Sequence, residues 1–235
     1  RLAGAVENAH AKRVLIDHHP HPTIPCVLTV SHPEMSSTCE LVMRIVCQMG
    51  GFDSLDRLFA VPIYCGMMTD TGGFTYNSST PEIFYLISLL LTKGIDKDKI
   101  YRNVYNNFSE NRLRLVGHVL KDRLVVRRHS AYFILTRQDL ADYHFIKGDA
   151  EGIVNMPLQI KGLRLSISLR EDTEKDNKVL VSLRSIEPHK CNDIAAKFFN
   201  GGGHDYAAGG RLMCTMDEAV KTAEAAIDCF EKRFS

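Results

Sequence analysis

The stretch KRVLIDHHPHP, residues 12–22, joins an aliphatic run to an acid, two histidines and two prolines. Residues 14–16 are aliphatic side chains of the kind that favours a buried strand. Asp17, His18 and His19 follow at once, ahead of the turn that the prolines predict. Since ligands bind beyond the carboxyl ends of strands in open α/β sheets, the stretch indicates a site at a strand end. For an isolated triplet, the simpler interpretation is an aspartate that caps a turn and two half-exposed loop histidines.

Composition describes an ordinary globular chain. Its 235 residues suffice for one large domain or two small ones, with 45% apolar and 24% charged side chains. The 29 basic and 28 acidic residues argue against bulk binding of long nucleic acid, but not against a small anion in a local pocket. Seven scattered cysteines without a CxxC pair favour reduced thiols, and no apolar run approaches the ~20 residues of a membrane span. We therefore expect a cytoplasmic protein that does not associate with membranes.

Strand and helix signals alternate through the first half. Residues 1–11 predict a helix that leads into a strand at 13–16. Ser37 and Glu40 have capping-box spacing ahead of an apolar helical face. Another helix is predicted with Thr80 as its cap, Pro81 at its first position and Gly94 closing it. This alternation predicts an α/β layer with a parallel sheet.

The second half has a different character. An amphipathic helix is predicted over 110–122, and segments with strand alternation and turn signals follow it, then two helices. We therefore predict an α/β domain at residues 1–109, a linker helix at 110–122, and a smaller α+β domain at 123–235.

A second polar cluster, GMMTDTGGF at residues 66–74, follows another apolar run. Asp70 lies between two threonines and ahead of two glycines, which let backbone and ligand approach closely. Alone, it would be an ordinary solvated loop carboxylate. Together with residues 17–19, it supplies the nitrogen and oxygen ligands that suit a divalent metal such as manganese.

A third cluster, FFNGGGHDYAAGG at residues 198–210, follows a predicted helix. Gly201, Gly202 and Gly203 offer consecutive amides for an anion-binding nest, and His204 adds a hydrogen bond or a positive charge. The structural alternative is a helix C-cap with a flexible turn, but a cap requires only one glycine. The run of three therefore favours a phosphate site.

VLIDHH, MMTDTGGF and VSLRS…NDIAAKFFNGGGHDYAAGG, in this order and spacing, resemble the DHH phosphoesterase superfamily with its DHHA1 C-terminal domain. The similarity is greatest to short stand-alone members of the nanoRNase and pAp-phosphatase type, and it covers nearly the whole chain. The resemblance implies a Rossmann-like DHH domain with a parallel sheet, followed by a smaller α+β DHHA1 domain.

The same resemblance implies a metal centre. His18 and Asp70 match family metal ligands, and His19 matches the histidine that approaches the scissile phosphate. Asp17 would orient His18 by fixing its tautomer. The family's pair of ions, usually Mn²⁺ with Mg²⁺ or Co²⁺ as alternatives, activates water and neutralises charge on the transition state.

The second domain is expected to bind the substrate. Arg184 and Ser185 end an alternating strand and are two donors suited to phosphate, although a lone arginine is more often a surface ion pair. The resemblance implies that this arginine and the GGGH segment at residues 201–204 hold a terminal phosphate or nucleotide. Asn155, within EGIVNMP, matches a DHHA1 segment that lines the pocket.

Part of the family's pattern is absent from these 235 residues. The upstream Asp-x-Asp-Ala type motif and the aspartate that bridges both metals do not occur. Two hard divalent ions want roughly six ligands each, more than two side chains supply. Family members run from the bridging aspartate through an Arg-Leu pair and a helix to the DHH strand, as RLAGAVENAHAKRVLIDHH does. We therefore expect the N-terminal part of the DHH domain to lie upstream of Arg1.

The leading expectation is a manganese-dependent phosphodiesterase or phosphatase acting on short oligoribonucleotides (nanoRNA) and 3′-phosphoadenosine 5′-phosphate (pAp). One alternative is a cyclic-dinucleotide or pApA phosphodiesterase. Another is a non-catalytic nucleotide-binding protein, if the upstream metal motifs are lost. Polyphosphate hydrolysis and exonuclease action on long single-stranded DNA rank below these. A homodimer is compatible with the sequence, which does not disclose the oligomeric state.

Overall fold

The computed structural model describes residues 3–19 and 22–234. The chain forms two compact units, residues 1–107 and 108–235. The turn predicted at Pro20 falls outside the described residues. Among the helices that the structure describes, none has the length and apolar character needed to cross a bilayer.

The first unit contains a parallel pair of strands. β1 (Val14–Asp17) and β2 (Leu28–Ser31) are aligned so that Asp17 lies opposite Ser31. The first two residues of the helix predicted over 1–11 lie outside the described residues. The parallel pairing and the helices around it confirm the predicted α/β class. The helices of this unit are α1 (Ala3–Glu7), α2 (Thr38–Gln48), α3 (Arg57–Asp70), α4 (Pro81–Thr92) and α5 (Lys97–Tyr105).

The predicted cap of α2 forms only half of a capping box. The Ser37 hydroxyl accepts a hydrogen bond from the Glu40 amide at 2.9 Å, as expected. The Glu40 carboxylate does not return to Ser37. It accepts instead from the backbone amide and the hydroxyl of Ser36, at 2.9 and 2.6 Å. Both interactions fix the start of α2, which then packs with α3 and α4 around the fully buried Met43 and Met67.

The second unit is built on a mixed sheet. Within the described residues its strand order is β3-β4-β5-β6-β8-β7, with β4 and β5 parallel and the other neighbours antiparallel. The strands are β3 (Leu124–Arg127), β4 (Ser130–Leu135), β5 (Leu165–Glu171), β6 (Val179–Ser185), β7 (Gly202–His204) and β8 (Ala207–Leu212). The helices are α6 (Glu110–His118), α7 (Arg137–Asp142), α8 (Asn192–Phe198) and α9 (Met216–Glu231), with a π-helix at Val119–Arg123 and a 3₁₀ helix at Ile153–Gln159.

The two faces of this sheet differ. Residues such as Leu165 and Leu183 point to a closed apolar layer with α8 and α9. On the other face, Phe133 and Leu135 pack against α6, α7 and the 3₁₀ helix. Beyond β4 this second face becomes polar, since serines, arginines and glycines take the alternate positions of β5, β6 and β8. The polar part of the second face is called here the open face.

The helix predicted as a linker over 110–122 belongs to the second unit in the structure. Leu115, Val116 and Val119 are buried in the same cluster as Phe133. The segment consists of α6 followed by the π-helix, and the sheet covers its apolar face. Because the division falls at residues 107 and 108, this helix lies within the second unit.

Candidate metal and phosphate sites

The end of β1 and the end of α3 bring together two of the expected metal ligands. The Nε2 atom of His18 lies 3.6 Å from Oδ2 of Asp70. The other ring nitrogen of His18, Nδ1, lies 3.3 Å from the Met35 carbonyl oxygen, which can accept its proton. In that tautomer Nε2 keeps a lone pair on the side of Asp70, which is the state that binds a metal.

Asp70 is placed by the way α3 ends. It is the last residue of the helix, and the buried Thr71 accepts a hydrogen bond from the Phe74 amide at 3.0 Å. Gly72 and Gly73 have φ of +56° and +75°, values that reverse the chain and that side chains oppose. A Cβ on Gly72 would lie 2.2 Å from the Tyr76 ring. The glycines therefore serve to end the helix at Asp70.

Asp17 has a different partner from the one expected. Its Oδ1 accepts hydrogen bonds from the backbone amide of His19 at 3.2 Å and from Nδ1 of His19 at 2.7 Å. Burial raises the pKa of Asp17, but the hydrogen bonds from His19 outweigh this effect and hold the pKa below its usual value. The expectation that Asp17 orients His18 is therefore corrected. Asp17 orients His19, while the Met35 carbonyl orients His18.

His18 and Asp70 fit as two ligands of one divalent ion. Their 3.6 Å separation is close to the spacing of neighbouring ligands in a metal shell, roughly 3 Å. Asp70 also places its charge at the negative end of the α3 dipole, where a cation is favoured. Among the described residues, no group of three or more histidine, cysteine, aspartate or glutamate side chains could hold a metal. Alone, His18 and Asp70 would form only part of the ligand shell of such an ion.

In the second unit, strand register brings the expected phosphate ligands into one row. Arg184 of β6 lies opposite Ser166 of β5 on one side and Ala207 of β8 on the other. Ala207 in turn lies opposite His204 of β7. Residues directly opposite each other in a sheet share a face, so Arg184 and His204 stand on the open face with only Ala207 between them. The small methyl of Ala207 leaves room for an anion between the two side chains.

The GGGH segment is a strand, not the irregular nest expected from sequence. Gly202–His204 form β7, at the edge of the sheet, and alternate amides of a strand point in opposite directions. A Cβ on Gly201 would lie 1.9 Å from the Gly209 carbonyl oxygen, and one on Gly203 would lie 2.6 Å from the Ala207 carbonyl oxygen. A Cβ on Gly202 would meet nothing within 4 Å. Two of the three glycines therefore permit close strand packing, and Gly202 leaves open space.

Ser185 and Asn155 are placed differently from Arg184. Ser185 lies opposite Leu165, so it points to the apolar layer, where it is buried. Neighbouring residues of a strand face opposite sides, so Arg184 and Ser185 cannot present their side chains to one ligand, and the proposed site omits Ser185. Asn155 is exposed on the 3₁₀ helix that packs on β5 and β6.

Ser166 is a candidate that sequence reasoning missed. It is fully buried beside Arg184, and its hydroxyl has no hydrogen-bond partner within the described part of the chain. A buried hydroxyl without a partner is costly, so a ligand that bonds it is favoured. The sequence does show polar side chains at alternate positions of this strand, Ser166, Ser168 and Arg170, and this pattern could have identified the polar face.

An α/β unit followed by a second unit on a mixed sheet is the architecture of a DHH domain joined to a DHHA1 domain. The chain belongs to the DHH/DHHA1 phosphoesterase superfamily: the DHHA1 domain model matches residues 133–229. A solved exopolyphosphatase-related protein from Bacteroides fragilis is 50% identical, with a TM-score of 0.93 over 98% of this chain and 67% of that one.

Curated relatives extend the comparison. An uncharacterized protein from Mycoplasma pneumoniae is 30% identical over 198 residues, which are 83% of this chain and 58% of the relative. The bifunctional oligoribonuclease and PAP phosphatase NrnA of Thermus thermophilus is 27% identical over 213 residues, 90% of this chain and 62% of the relative. The chain thus spans about three fifths of the length of these curated relatives.

Proposed function

We propose that the protein is a metal-dependent phosphodiesterase and phosphatase that hydrolyses short oligoribonucleotides and pAp. The observation that carries the proposal is the pairing of His18 with Asp70 in a chain that also aligns Arg184 with His204. The first pair suits a divalent cation and the second suits a phosphate. The similarity to NrnA of Thermus thermophilus supports the substrate class.

The first unit supplies the reacting groups. His18 and Asp70 are proposed to hold Mn²⁺, with Mg²⁺ or Co²⁺ as alternatives. When bound, such an ion supplies a nucleophilic water at neutral pH and stabilises charge on the phosphoryl oxygens. His19 stands next to His18, with ring centroids 4.7 Å apart, and Asp17 accepts its Nδ1–H. Because Nδ1 donates to Asp17, Nε2 is the ring nitrogen of His19 that we propose contacts the scissile phosphate, for proton transfer or hydrogen bonding.

The second unit is proposed to bind the substrate. Arg184 offers a planar fork of donors to a terminal phosphate, and His204 adds a second donor across Ala207. Ser166 is proposed to contribute its unpaired hydroxyl to the same group. Recognition of a terminal phosphate favours substrates whose reacting bond is close to an end, that is, very short oligonucleotides and pAp.

Separate measurements of KM, kcat and Mn²⁺ affinity test these roles. His204→Gln is expected to raise the KM for pAp about tenfold and to leave the affinity for Mn²⁺ unchanged. Asp70→Asn is expected to lower kcat and weaken Mn²⁺ binding. His10→Gln, at an exposed histidine, is the matched control. If His204→Gln reduced metal binding as much as substrate binding, the assignment of separate metal and phosphate sites would be refuted.

A further inference from the structure

A cavity on the open face of the second unit is not used by the proposed function. It has a volume of about 720 Å³ and lies between β5, β6 and the segment 145–154. Its floor carries Ser168, Arg170 and Ser182. Phe145, Val154 and Leu180 supply apolar wall. The cavity therefore combines hydrogen-bond donors with a surface on which a flat apolar group can pack.

Arg170 is the unusual group in this cavity. Its guanidinium is half-buried over the Phe145 ring, 5.3 Å from the ring centroid. Within the described residues it forms no hydrogen bond and no ion pair with a carboxylate. Burial lowers the pKa of Arg170, and the charge of Asp172 offsets this only in part. Arg170 thus loses part of its hydration and gains only the Phe145 ring and the charge of Asp172 in return, so an anionic ligand that pairs with it is favoured.

The carboxylates around the cavity divide into two kinds. Asp172 is already engaged, since Lys178 contacts it at 2.6 Å and the amides of Glu174 and Lys175 donate to it. Glu151 and the Glu174 side chain line the cavity as hydrogen-bond acceptors. A simple anion would gain nothing from these acceptors. A ligand that carries a phosphate together with hydroxyl or amino groups would use both kinds of group.

Strand register relates this cavity to the Arg184 row. Ser166 and Arg170 lie on the same face of β5, four residues apart, which is roughly 13 Å along a strand. Ser168 lies between them, opposite Ser182 of β6. The open face thus carries an anion-binding row, a row of two hydroxyls and a second arginine in succession. A nucleic-acid strand, in which phosphates alternate with sugars that carry hydroxyls, can reach both arginines along this face.

We propose that the Arg170 cavity is a second nucleotide-binding subsite, which holds the phosphate and ribose of a further residue of a bound oligoribonucleotide. Arg170 and the hydroxyls of Ser168 and Ser182 contact phosphate, and Glu174 accepts from ribose hydroxyls. The subsite rests on the proposed function for its natural ligand, since the strand is the substrate held at Arg184. It adds a chain-length preference: substrates longer than pAp gain binding energy here.

Binding measured without metal tests the subsite while excluding turnover. Arg170→Gln is expected to raise the Kd of a 5′-phosphorylated tetraribonucleotide about tenfold and to change the Kd of pAp by less than twofold. Lys161→Gln, at an exposed lysine outside the cavity, should change neither. The melting temperature of Arg170→Gln should stay the same or rise, because a desolvated charge is removed; a structural arginine would lower it. Equal Kd values for the variant and the wild type would overturn the subsite.

A second readout uses the unmodified chain. Titration of ¹⁵N-labelled protein with AMP should shift the amide signals of Ser168 and Ser182. Displacement of AMP by the tetraribonucleotide would identify the strand as the source of the bound nucleotide. If the wild type bound no oligonucleotide, the proposed function would fail, yet AMP shifts at these serines would still support a free-nucleotide site. Absence of any shift at Ser168 and Ser182 would overturn the subsite independently of hydrolysis.

Discussion

Alanine substitution in the GGG run separates its packing role from its role towards a ligand. A Cβ added to Gly201 would lie 1.9 Å from the Gly209 carbonyl oxygen and 2.6 Å from the Gly210 Cα. Both are backbone atoms, so no side-chain rotation relieves the contact. A Cβ added to Gly202 has open space around it. The two variants are matched in chemistry and adjacent in sequence, and they should behave differently.

The magnitude follows from what must move. Gly201→Ala forces β7 away from β8, and overpacking against a rigid partner costs about 1–3 kcal/mol. Near the upper end of that range, the free energy of unfolding would fall by about 3 kcal/mol and the melting temperature by roughly 10 °C for a unit of this size. Gly202→Ala removes some freedom from the unfolded chain, so its free energy of unfolding should stay within about 0.5 kcal/mol of the wild type.

Urea unfolding monitored by far-UV circular dichroism measures both variants. For Gly202→Ala the same protein is then assayed for pAp binding. Gly202 lies opposite Gly209 in the row next to His204, so a methyl group there points to the open face and should weaken pAp binding several-fold. A stable Gly201→Ala variant, or one no less stable than Gly202→Ala, would refute the strand packing described for this segment.

Two further predictions concern buried acids of the second unit. Glu231 accepts hydrogen bonds from the Ser130 hydroxyl at 2.6 Å and from the His129 amide at 3.1 Å. Glu231→Ala should therefore reduce the free energy of unfolding, measured in urea, by about 2–4 kcal/mol, and a reduction under about 1 kcal/mol would contradict this role. Burial raises the pKa of Asp139, but hydrogen bonds, that from Arg123 foremost, lower it from 3.8 to about 2. The ionised Asp139 therefore stabilises the fold fully above about pH 4, and this stabilisation, about 2 kcal/mol, is lost as the pH falls towards 2. The free energy of unfolding measured in urea between pH 5 and pH 2 should show this loss in the wild type and not in Asp139→Asn.

The local signals of the sequence were sufficient for several elements. The strand before Asp17 and the cap at Ser37 follow from nearest-neighbour chemistry, and the structure confirms both. The capping box of α9 also forms in full, with Thr215 and Glu218 bonding each other reciprocally. The two caps depend on residues within one helical turn, so the pattern predicts the hydrogen bond that starts each helix, although the reciprocal bond forms only in α9.

Long-range contacts decided what the sequence could not disclose. Gly202–His204 is a strand only because β8 pairs with it, and three glycines have low intrinsic strand preference. Arg184 and Ser185 looked like a pair of donors, but the alternation of a strand separates them once one face is covered by α8 and α9. The hydrogen bond from His19 to Asp17 likewise depends on how the chain turns after β1. The roles assigned to these residues remain predictions.

Hydrolysis by the full-length protein in the presence of Mn²⁺ is the measurement that tests the central claim most directly. The substrates are pAp, 5′-phosphorylated RNA of two to five nucleotides, pApA and cyclic di-AMP, with Asp70→Asn as the control. We predict release of AMP from pAp and of mononucleotides from the short RNAs, suppressed by chelator and reduced at least a hundredfold in the control. Turnover of cyclic di-AMP or pApA alone would contradict the substrate assignment. No turnover of any of these compounds would contradict the claim that the protein is a phosphoesterase acting on short nucleotides.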